Sequence, residues 1–484
     1  MNTTLEKTNL TMLTDFYEIT MANGYFANGF GDRIAYFDMF FREVPDKGGF
    51  AIMAGVQQVV DYLTNLHFTP EDISYLRECG IFSEGFLKYL MNFHFACDVW
   101  SVPEGTPIFP GEPILTVRGP VIQAQFVETM ILLTINHESL IATKANRIVR
   151  AAHGRPVMEF GSRRAQGADS AILGARAAYI GGCCGTACTI CDREFGVPAL
   201  GTMAHSWVQL FDTELEAFRA YAREYPSNCL LLVDTYNVLK SGIPNAIKIF
   251  NEEVVPRGFR PAGIRIDSGD ITYLSKRSRK MLDDAGFPDA KICVSNSLDE
   301  YLIRDMLIQG APVDSFGVGE RLITSSSHPV FGGVYKLCAV EKEDGTIIPK
   351  IKVSENVSKI TTPCFKKLWR LYDRETGKAI ADVVTLHNET IDDTKPYEIF
   401  DPTHIWKRKL VSNFRAVPLR EQLFKNGKCI AKEKTLKELQ EDCKREVNTL
   451  WDEVQRFDNP HRYYVDLSRS LWDVKQKMLD EYTF

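Results

Sequence analysis

The sequence lacks the long apolar runs and leader signals of membrane and secreted proteins. No stretch of the 484-residue chain approaches the ~18 uncharged apolar residues of a membrane-spanning helix. The start, MNTTLEKTNLTML, has no basic region followed by an apolar one, as a signal peptide would have. We therefore expect a cytoplasmic protein without a membrane partner.

An excess of basic charge is also absent. The chain has 57 Lys and Arg residues against 63 Asp and Glu residues, which gives a net charge of −6. A protein with a net negative charge does not bind nucleic acid or an anionic membrane through its overall electrostatic attraction. We predict no nucleic-acid partner, and only a local basic pocket could bind phosphates.

Two nucleotide-binding motifs are missing. No G-x-G-x-x-G follows a predicted strand and there is no G-x-x-x-x-G-K-[ST] loop, which argues against a doubly wound dinucleotide fold and a P-loop. Internal repeats and low-complexity linkers are absent too. The length indicates two or more ordinary globular domains.

The 12 cysteines are scattered along the chain, which is typical of reduced thiols in a protein large enough to fold without cross-links. One cluster, Cys183 to Cys191 in GGCCGTACTIC, weakly resembles a metal knuckle. No second pair of His or Cys residues stands at a fitting distance. We expect structural packing there and keep a zinc or redox protein as the minority alternative.

Short apolar runs with polar or glycine-containing tips recur between about residues 150 and 340. They lie on the order of 20–45 residues apart with helical patterns between them, which is the cadence of β-α units and a parallel sheet. Six such units favour an α/β barrel, irregular and not necessarily complete, over an open sheet. The runs are PVMEFGSRR, PALGTMAHS, CLLLVDTYN, AGIRIDSGD, KICVSNS and VDSFGVGER.

We predict three regions within this α/β protein. Residues 1–135 form an N-terminal α/β domain, residues 136–345 the α/β-barrel catalytic domain, and residues 346–484 a C-terminal extension that packs on the other two. Near the start of the last region, VEKEDGTIIPKIKV has the Asp-Gly turn of a hairpin. Helical spacing predicts an amphipathic helix through Leu436, Leu439, Cys443, Val447, Leu450 and Val454.

In a parallel barrel, functional side chains come from the carboxyl ends of the strands, so the six tips should meet at one mouth. Arg265 alternates with isoleucines in GIRID and needs a partner or a ligand if that strand is buried. Asp234 and Asp270 have helix N-caps as the structural alternative. The polar and glycine residues of the tips are Arg163, Arg164, His205, Asp234, Arg265, Asp267, Asp270, Asn296, Gly317 and Gly319.

The residue types at this mouth predict anionic ligands. Arginine binds planar carboxylates and phosphates, and carboxylates bind Mg²⁺ or sugar hydroxyls. The combination indicates a phosphorylated sugar and an anionic second substrate, without naming the reaction. Considered by itself, His205 in GTMAHSW is either a structural histidine or a reactive imidazole at a strand end.

Six motifs in order resemble those of nicotinate phosphoribosyltransferase, over about residues 10 to 340. The resemblance implies that nicotinate and 5-phosphoribosyl 1-pyrophosphate give nicotinate mononucleotide and pyrophosphate in NAD salvage, coupled to ATP hydrolysis, with Mg²⁺. It also implies a homodimer with shared active sites. The motifs are TDFYEITM, EFGSRRAQG, GTMAHSW, DTYNVLKSGIPNA, RIDSGD and FGVGERL with FGGVYKL.

The same resemblance implies roles for the residues around the pyridine ring. Tyr17, arriving from the neighbouring subunit, and Phe160 would sandwich the ring. Arg265 would hold the nicotinate carboxylate with help from the region of Thr202, and Arg163 would be a further substrate-binding residue.

The remaining implied roles concern the sugar, the phosphates and ATP. Asp267 would engage ribose hydroxyls or a Mg²⁺, and Asp234 would orient the histidine or the substrate. Gly317 and Gly319 would lie beside phosphate. His205 would be the residue that ATP phosphorylates, which makes it the expected phosphohistidine.

Two departures from the family pattern bear on the substrate. Glu320 in GVGER replaces an expected small hydroxyl residue and has no assigned role. Cys184 stands where the nicotinamide-using relative has an aspartate, which favours nicotinate over the amide. A nicotinamide or quinolinate phosphoribosyltransferase remains the closest alternative, and a binding protein without catalysis is a third.

Overall fold

The computed structural model describes residues 9–482. These residues form two compact units. The first contains the described residues up to Thr143 together with those from Val330 onward, and the second is Lys144–Pro329. The three-region division drawn from the sequence stays a prediction.

One helix in the part of the chain up to Ala151 begins with a clear local signal. Thr69 and Asp72 form a reciprocal capping box with Pro70 at the first helical position, which starts the third helix. In chain order the elements are α1 (Phe16–Ala27), β1 (Ile34–Phe41), β2 (Ala51–Ile52), α2 (Val56–Asn65), α3 (Pro70–Glu78), α4 (Glu84–Met91), β3 (Asp98–Ser101), β4 (Pro107–Ile108), β5 (Leu115–Pro120), α5 (Val121–Phe126) and α6 (Glu128–Ala151).

Strands and helices alternate through the middle of the chain. A 3₁₀ turn, Ser162–Arg164, follows the first of these strands, and π-helical turns, Val238–Gly242 and Phe250–Val254, flank α11. The elements are β6 (Val157–Glu159), α7 (Ala168–Ile180), β7 (Gly185–Thr186), α8 (Thr189–Phe195), α9 (His205–Leu210), α10 (Glu214–Glu224), β8 (Leu230–Leu232), α11 (Ile243–Ile249), β9 (Gly263–Ile266), α12 (Ile271–Asp284), β10 (Lys291–Ser295), α13 (Glu300–Ile308), β11 (Ser315–Val318) and α14 (Glu320–Ile323).

The last part of the chain is mainly β-structure. No helix among residues 9–482 is long and apolar enough to span a bilayer. The elements are β12 (Gly333–Glu341), β13 (Ile347–Pro349), β14 (Lys366–Asp373), β15 (Ala379–Leu386), β16 (Tyr397–Phe400), β17 (Arg408–Val411), β18 (Phe414–Pro418), β19 (Glu421–Lys425), β20 (Lys428–Cys429), α15 (Leu436–Thr449), β21 (Val465–Leu467) and α16 (Arg469–Asp480).

Two local predictions for this part are confirmed. β12 and β13 pair antiparallel around a turn in which Gly345 has φ +82°, a conformation that glycine adopts at little cost. α15 buries Leu439, Cys443 and Val447 on one face. Leu450 and Val454 are also buried, but they follow the end of the helix.

The first unit is organised around an antiparallel sheet in the order β13-β12-β1-β5-β3-β19-β20. A second sheet runs β18-β14-β15-β21, in which β15 and β21 pair parallel. Aromatic side chains fill much of the core, including Phe37 stacked on Tyr335 with ring centroids 5.1 Å apart. Both rings are nearly inaccessible to solvent, so their burial contributes strongly to stability.

The second unit contains a six-stranded sheet in the order β7-β6-β11-β10-β9-β8, with every pairing parallel. Its strands bury Leu231, Ile264, Ile292, Val294 and Phe316 completely, as expected for a sheet covered on both faces. The predicted α/β class is confirmed. Within the described part of the chain, no hydrogen bonds join the two edge strands, β7 and β8. Closure of the sheet into a barrel therefore stays a prediction.

One predicted strand is wrong and one real strand was not predicted. PALGTMAHS forms only a single parallel bridge, between Ala199 and Thr186. Pro198 has no N–H to donate to a ladder, and the chain turns into α9 at His205. The sixth strand is β7, which lies inside the cysteine-rich stretch. His205 therefore begins a short helix and does not end a strand.

Candidate functional site

Most of the predicted site residues lie at the carboxyl ends of the parallel strands in the second unit. Phe160 follows β6, Asp234 follows β8, and Asp267 follows β9. Gly319 follows β11. Parallel strands bring these ends to one edge of the sheet, so residues far apart in sequence become neighbours.

Arg265, on β9, is the centre of the site. Its side chain is 14 % exposed and its Nε donates to Ser295 Oγ at 3.0 Å. Nη1 donates to Thr202 Oγ1 at 3.1 Å and to the Met203 carbonyl at 3.3 Å. These contacts fix the plane of the guanidinium, as the sequence required for an arginine on a buried strand.

Asp267 connects Arg265 to His205. Its Oδ1 lies 3.4 Å from Arg265 Nη2 and also accepts the Ser295 hydroxyl proton. Its Oδ2 lies 3.8 Å from His205 Nε2, and His205 Nδ1 shares a 3.1 Å hydrogen bond with Thr235 Oγ1. The imidazole therefore has a hydrogen-bond partner at Nδ1 and a carboxylate near Nε2 that is beyond hydrogen-bond distance. Its side chain is 39 % exposed to solvent.

Asp234 offers a free oxygen to this group. One oxygen, Oδ2, accepts from the Asp267 N–H at 3.1 Å and from Ser268 Oγ at 2.6 Å. The other, Oδ1, is buried without a hydrogen-bond partner among residues 9–482. A buried carboxylate oxygen without a partner is costly. This oxygen is therefore available to a hydrogen-bond donor or a cation.

Phe160 and two glycines form a neighbouring part of the site. The Phe160 N–H donates to the Val318 carbonyl at 2.7 Å, and its ring is half-buried. A Cβ at Gly317 would lie only 2.6 Å from the ring, and one at Gly319 would lie 3.1 Å from the Phe160 carbonyl. Glycine at 317 therefore lets the ring approach β11 closely.

Glu159 supports the loop that carries Phe160. Its side chain is 1 % exposed; it accepts from the Gly161 N–H and, at 2.6 Å, from Thr186 Oγ1. Burial raises the pKa of this carboxyl, and the hydrogen bonds from Thr186 and Gly161 oppose that rise. The contacts tie β6 to β7 and fix the backbone on both sides of Phe160.

The two predicted arginines of this loop lie on its surface. Arg163 and Arg164 are exposed on the 3₁₀ turn after β6. Arg164 Nε is 3.9 Å from Glu320 Oε2, and both side chains are more than half exposed. Glu320 therefore points toward a cation in an exposed pair, which contributes little to stability.

Two other predicted tip residues have structural positions. Asp270 caps α12 by accepting from the Tyr273 N–H at 2.8 Å, the alternative anticipated for it. Asn296 is exposed with φ +105°, a backbone conformation in which asparagine is enriched. Ser295, the residue before it, makes the contacts to Arg265 and Asp267 instead.

Tyr17 lies in the first unit, on α1, and 45 % of it is exposed. Partial burial, followed by the negative charge of Glu128, raises the pKa of its hydroxyl. The phenol is therefore neutral at physiological pH. An exposed neutral ring is suited to stacking on a ligand, and its role at the pyridine stays a proposal.

Three of the four thiols in the cysteine cluster are buried. Cys183, Cys188 and Cys191 are buried, and Cys184 is exposed. Burial raises the pKa of the Cys183 and Cys184 thiols, whereas metal binding and redox exchange need thiolates. No group of three or more His, Cys, Asp or Glu residues in the described part of the chain is arranged to hold a metal ion.

Comparisons with known proteins give a consistent result. Residues 12–136 match the family model of the nicotinate phosphoribosyltransferase N-terminal domain, and residues 365–475 match that of the C-terminal domain. A nicotinate phosphoribosyltransferase of Bacillus subtilis (strain 168) is 40% identical over 473 residues, covering 98% of this chain and 96% of the relative. One of Dictyostelium discoideum is 33% identical, covering 96% of this chain and 87% of the relative.

A solved structure extends this similarity to the fold. The crystal structure of human nicotinic acid phosphoribosyltransferase matches with a TM-score of 0.85 and 27% sequence identity. The match covers 96% of this chain and 99% of the human chain.

The parallel sheet and the charged site at its carboxyl edge define an α/β enzyme that handles small polar ligands. The full-length similarity narrows this class to one family. The chain belongs to the nicotinate phosphoribosyltransferase family.

Proposed function

We propose that this protein joins nicotinate and 5-phosphoribosyl 1-pyrophosphate to give nicotinate mononucleotide and pyrophosphate, with ATP hydrolysis driving the step. The observation that carries the proposal is the network in which Arg265 is fixed by Ser295 and Thr202 beside the unpartnered oxygen of Asp234. Such a site offers a rigid cation for a carboxylate and an acceptor for a sugar.

The nicotinate carboxylate meets Arg265 and Thr202. Arg265 has five N–H donors, of which four have partners among the described residues. The fifth, on Nη2, is left for the ligand. Thr202 Oγ1 accepts from Arg265 and its own O–H remains a donor. Phe160 offers a half-buried ring face for the pyridine, with Tyr17 of a second subunit on the other face.

The chemistry at the sugar needs positioning and charge rather than a general base. Breaking the bond to pyrophosphate develops oxocarbenium character on the ribose, as in glycoside hydrolysis. The pyridine nitrogen already has a lone pair, so no proton has to be removed. The carboxylates of Asp234 and Asp267 favour the cationic sugar and accept from its hydroxyls. Gly317 and Gly319, which lie against the ring and the carbonyl of Phe160, would be next to the phosphates.

Asp234 and Asp267 also fit a Mg²⁺ carried in by the diphosphate. Mg²⁺ is typically held by one or two carboxylates together with substrate phosphates and water. These two residues present oxygens on neighbouring strand ends, and one of the oxygens has no hydrogen-bond partner within residues 9–482. When bound, the ion would neutralise charge on the departing pyrophosphate.

ATP acts through His205 in this proposal. If Nδ1 carries the proton and donates to Thr235, Nε2 has the lone pair. Nε2 attacks the γ-phosphorus, so an N–P bond forms and the P–O bond to ADP breaks. The phosphohistidine adds about two negative charges next to Asp267, which favours entry of Mg²⁺ and reshapes the pyrophosphate site. We further propose a homodimer with shared active sites, located in the cytoplasm.

Substrate preference tests the reaction. With 5-phosphoribosyl 1-pyrophosphate and ATP, we expect kcat/KM for nicotinate to exceed that for nicotinamide by at least about 100-fold, because the charge-assisted contact to Arg265 is lost with the amide. Consumption of each pyridine, with quinolinate included, measures this ratio. A preference for nicotinamide or quinolinate would contradict the proposal and favour the corresponding alternative.

The phosphohistidine has its own test. Incubation with γ-labelled ATP should place acid-labile phosphate on the wild-type protein and none on a His205→Ala variant. His328, which also lies in the second unit, provides the matched control, since His328→Ala should keep the label. Equal labelling of wild type and His205→Ala would refute the assignment without affecting the nicotinate selectivity.

A further inference from the structure

The first unit contains a cavity of about 850 Å³. Every residue that lines it belongs to that unit, and none of the residues proposed for catalysis or substrate binding is among them. Its size falls within the range of roughly 300–1,000 Å³ that small-molecule sites occupy. We call it the first-unit cavity.

The charge of the first-unit cavity is opposite to that of the chain. Six lining side chains are cationic and two, Asp38 and Glu43, are carboxylates, although the whole protein has a net charge of −6. A concave surface lined by one sign of charge concentrates ions of the other. The cations are Arg42, Lys47, Lys336, Lys366, Arg462 and Lys475.

Lys366 is fully supplied with acceptors. Only 2 % of its side chain is exposed, and Nζ lies 2.6 Å from Asp38 Oδ2. It also donates to the carbonyls of Thr362, Pro363 and Cys364 at 2.8, 3.1 and 2.6 Å. An ammonium has three donors, so Lys366 needs nothing further from a ligand.

Lys475, on α16, is supplied much less well. It is half-buried and its Nζ donates to Thr362 Oγ1 at 3.2 Å. No carboxylate of residues 9–482 lies within 4.0 Å of this nitrogen. Burial and the nearby charge of Lys366 lower the pKa of Lys475 to about 8. An anion in the cavity would supply both the missing acceptors and the missing charge.

Part of the wall is aromatic. Phe109 and Tyr463 both line the cavity and are stacked with ring centroids 4.0 Å apart and an interplanar angle of 13°. Phe40 lines it as well. Phe109 and Tyr463 are only 1 % and 6 % exposed, so the half-buried ring of Phe40 supplies most of the aromatic surface open to the organic part of a ligand. Lysine binds phosphate as a point charge.

We propose that the first-unit cavity binds an organic phosphate, with the phosphate among the cationic side chains that include Lys475 and the organic part against the aromatic wall. The proposal does not depend on the reaction proposed for the second unit. If the cavity failed to bind an organic phosphate, the proposed reaction would still stand.

Pyridoxal 5′-phosphate is a suitable probe, because it combines a phosphate, a ring and an aldehyde. The Lys475 amine attacks the aldehyde carbon, water leaves and an imine forms. Borohydride then delivers a hydride to the imine carbon and makes the label permanent. Peptide mapping by mass spectrometry compares Lys475 with Lys477, an exposed lysine two positions further along α16.

At about pH 7.5 we expect Lys475 to be labelled at least about tenfold faster than Lys477. A pKa of about 8 leaves roughly a quarter of the amine unprotonated, against about 0.1 % for an ordinary lysine. Lys475→Gln should abolish this fast label and Lys477→Gln should keep it. Equal rates at the two lysines would overturn the proposal.

Protection separates a phosphate site from a merely reactive amine. Phenyl phosphate should slow labelling of Lys475 at least about fivefold and leave Lys477 unchanged, while potassium chloride at equal ionic strength should have no effect. Inorganic phosphate should protect only at higher concentration, since it makes no contact with the aromatic wall. Absence of protection by phenyl phosphate, or equal protection by inorganic phosphate, would show that the cavity is not an organic-phosphate site.

Discussion

Replacement of Arg265 by lysine is expected to lower kcat/KM for nicotinate by at least about 100-fold, which corresponds to about 2.7 kcal/mol of lost transition-state stabilisation. Lysine keeps the positive charge, so the negative environment of Asp267 stays neutralised. It cannot reproduce a planar fork that bonds Ser295, Thr202 and Met203 at once. Steady-state kinetics with nicotinate as the varied substrate measure the effect.

The matched control is Arg279→Lys in the same unit. Arg279 also bridges backbone groups, donating to the carbonyls of Ala290 and Phe287 at 2.6 Å each. Its replacement removes comparable hydrogen bonds outside the site. We expect both variants to lose about 1–2 kcal/mol of stability and only Arg265→Lys to lose activity. Equal losses of activity would mean that Arg265 acts through stability alone.

Much of the second unit's fold was predictable because its signals are local. Five of the six apolar runs form strands of the parallel sheet, since buried parallel strands are continuous apolar segments. The exceptions lie where local signals are weak. β7 consists only of Gly185 and Thr186, and it is stabilised by pairing with β6. Two residues without an apolar run cannot be recognised as a strand before the pairing is known.

The charged residues of the site could be predicted from the sequence, and its neutral residues could not. A buried arginine and strand-end aspartates stand out in any sequence, and Arg265, Asp267 and Asp234 do meet. The strand-end pattern predicts Asn296 as a site residue, whereas Ser295 makes the contacts to Arg265 and Asp267. Cys293 pairs with Arg265 across the sheet, and alternate residues of a strand share a face, so Ser295 belongs to that face and Asn296 does not. The register that decides this exists only in the folded sheet.

Replacement of Asp234 by asparagine is expected to lower kcat/KM for 5-phosphoribosyl 1-pyrophosphate by at least about 100-fold. Asparagine has the same shape, and its carbonyl can still accept from the Asp267 N–H and from Ser268. Its NH₂ group then occupies the position of the buried oxygen that has no partner among the described residues. A donor thus replaces an acceptor, and a negative charge that would stabilise the cationic sugar is lost.

Asp270→Asn is the control for this experiment, since it makes the same chemical change nearby. Asp270 caps α12, and asparagine caps helices about as well as aspartate, so both activity and Tm should stay unchanged. We expect Asp234→Asn to keep its Tm within about 3 °C while it loses activity, which would place the effect on the substrate. If Asp234→Asn retained activity within about fivefold of wild type, its free oxygen would not meet the sugar, and the unpartnered carboxylate would need a structural explanation.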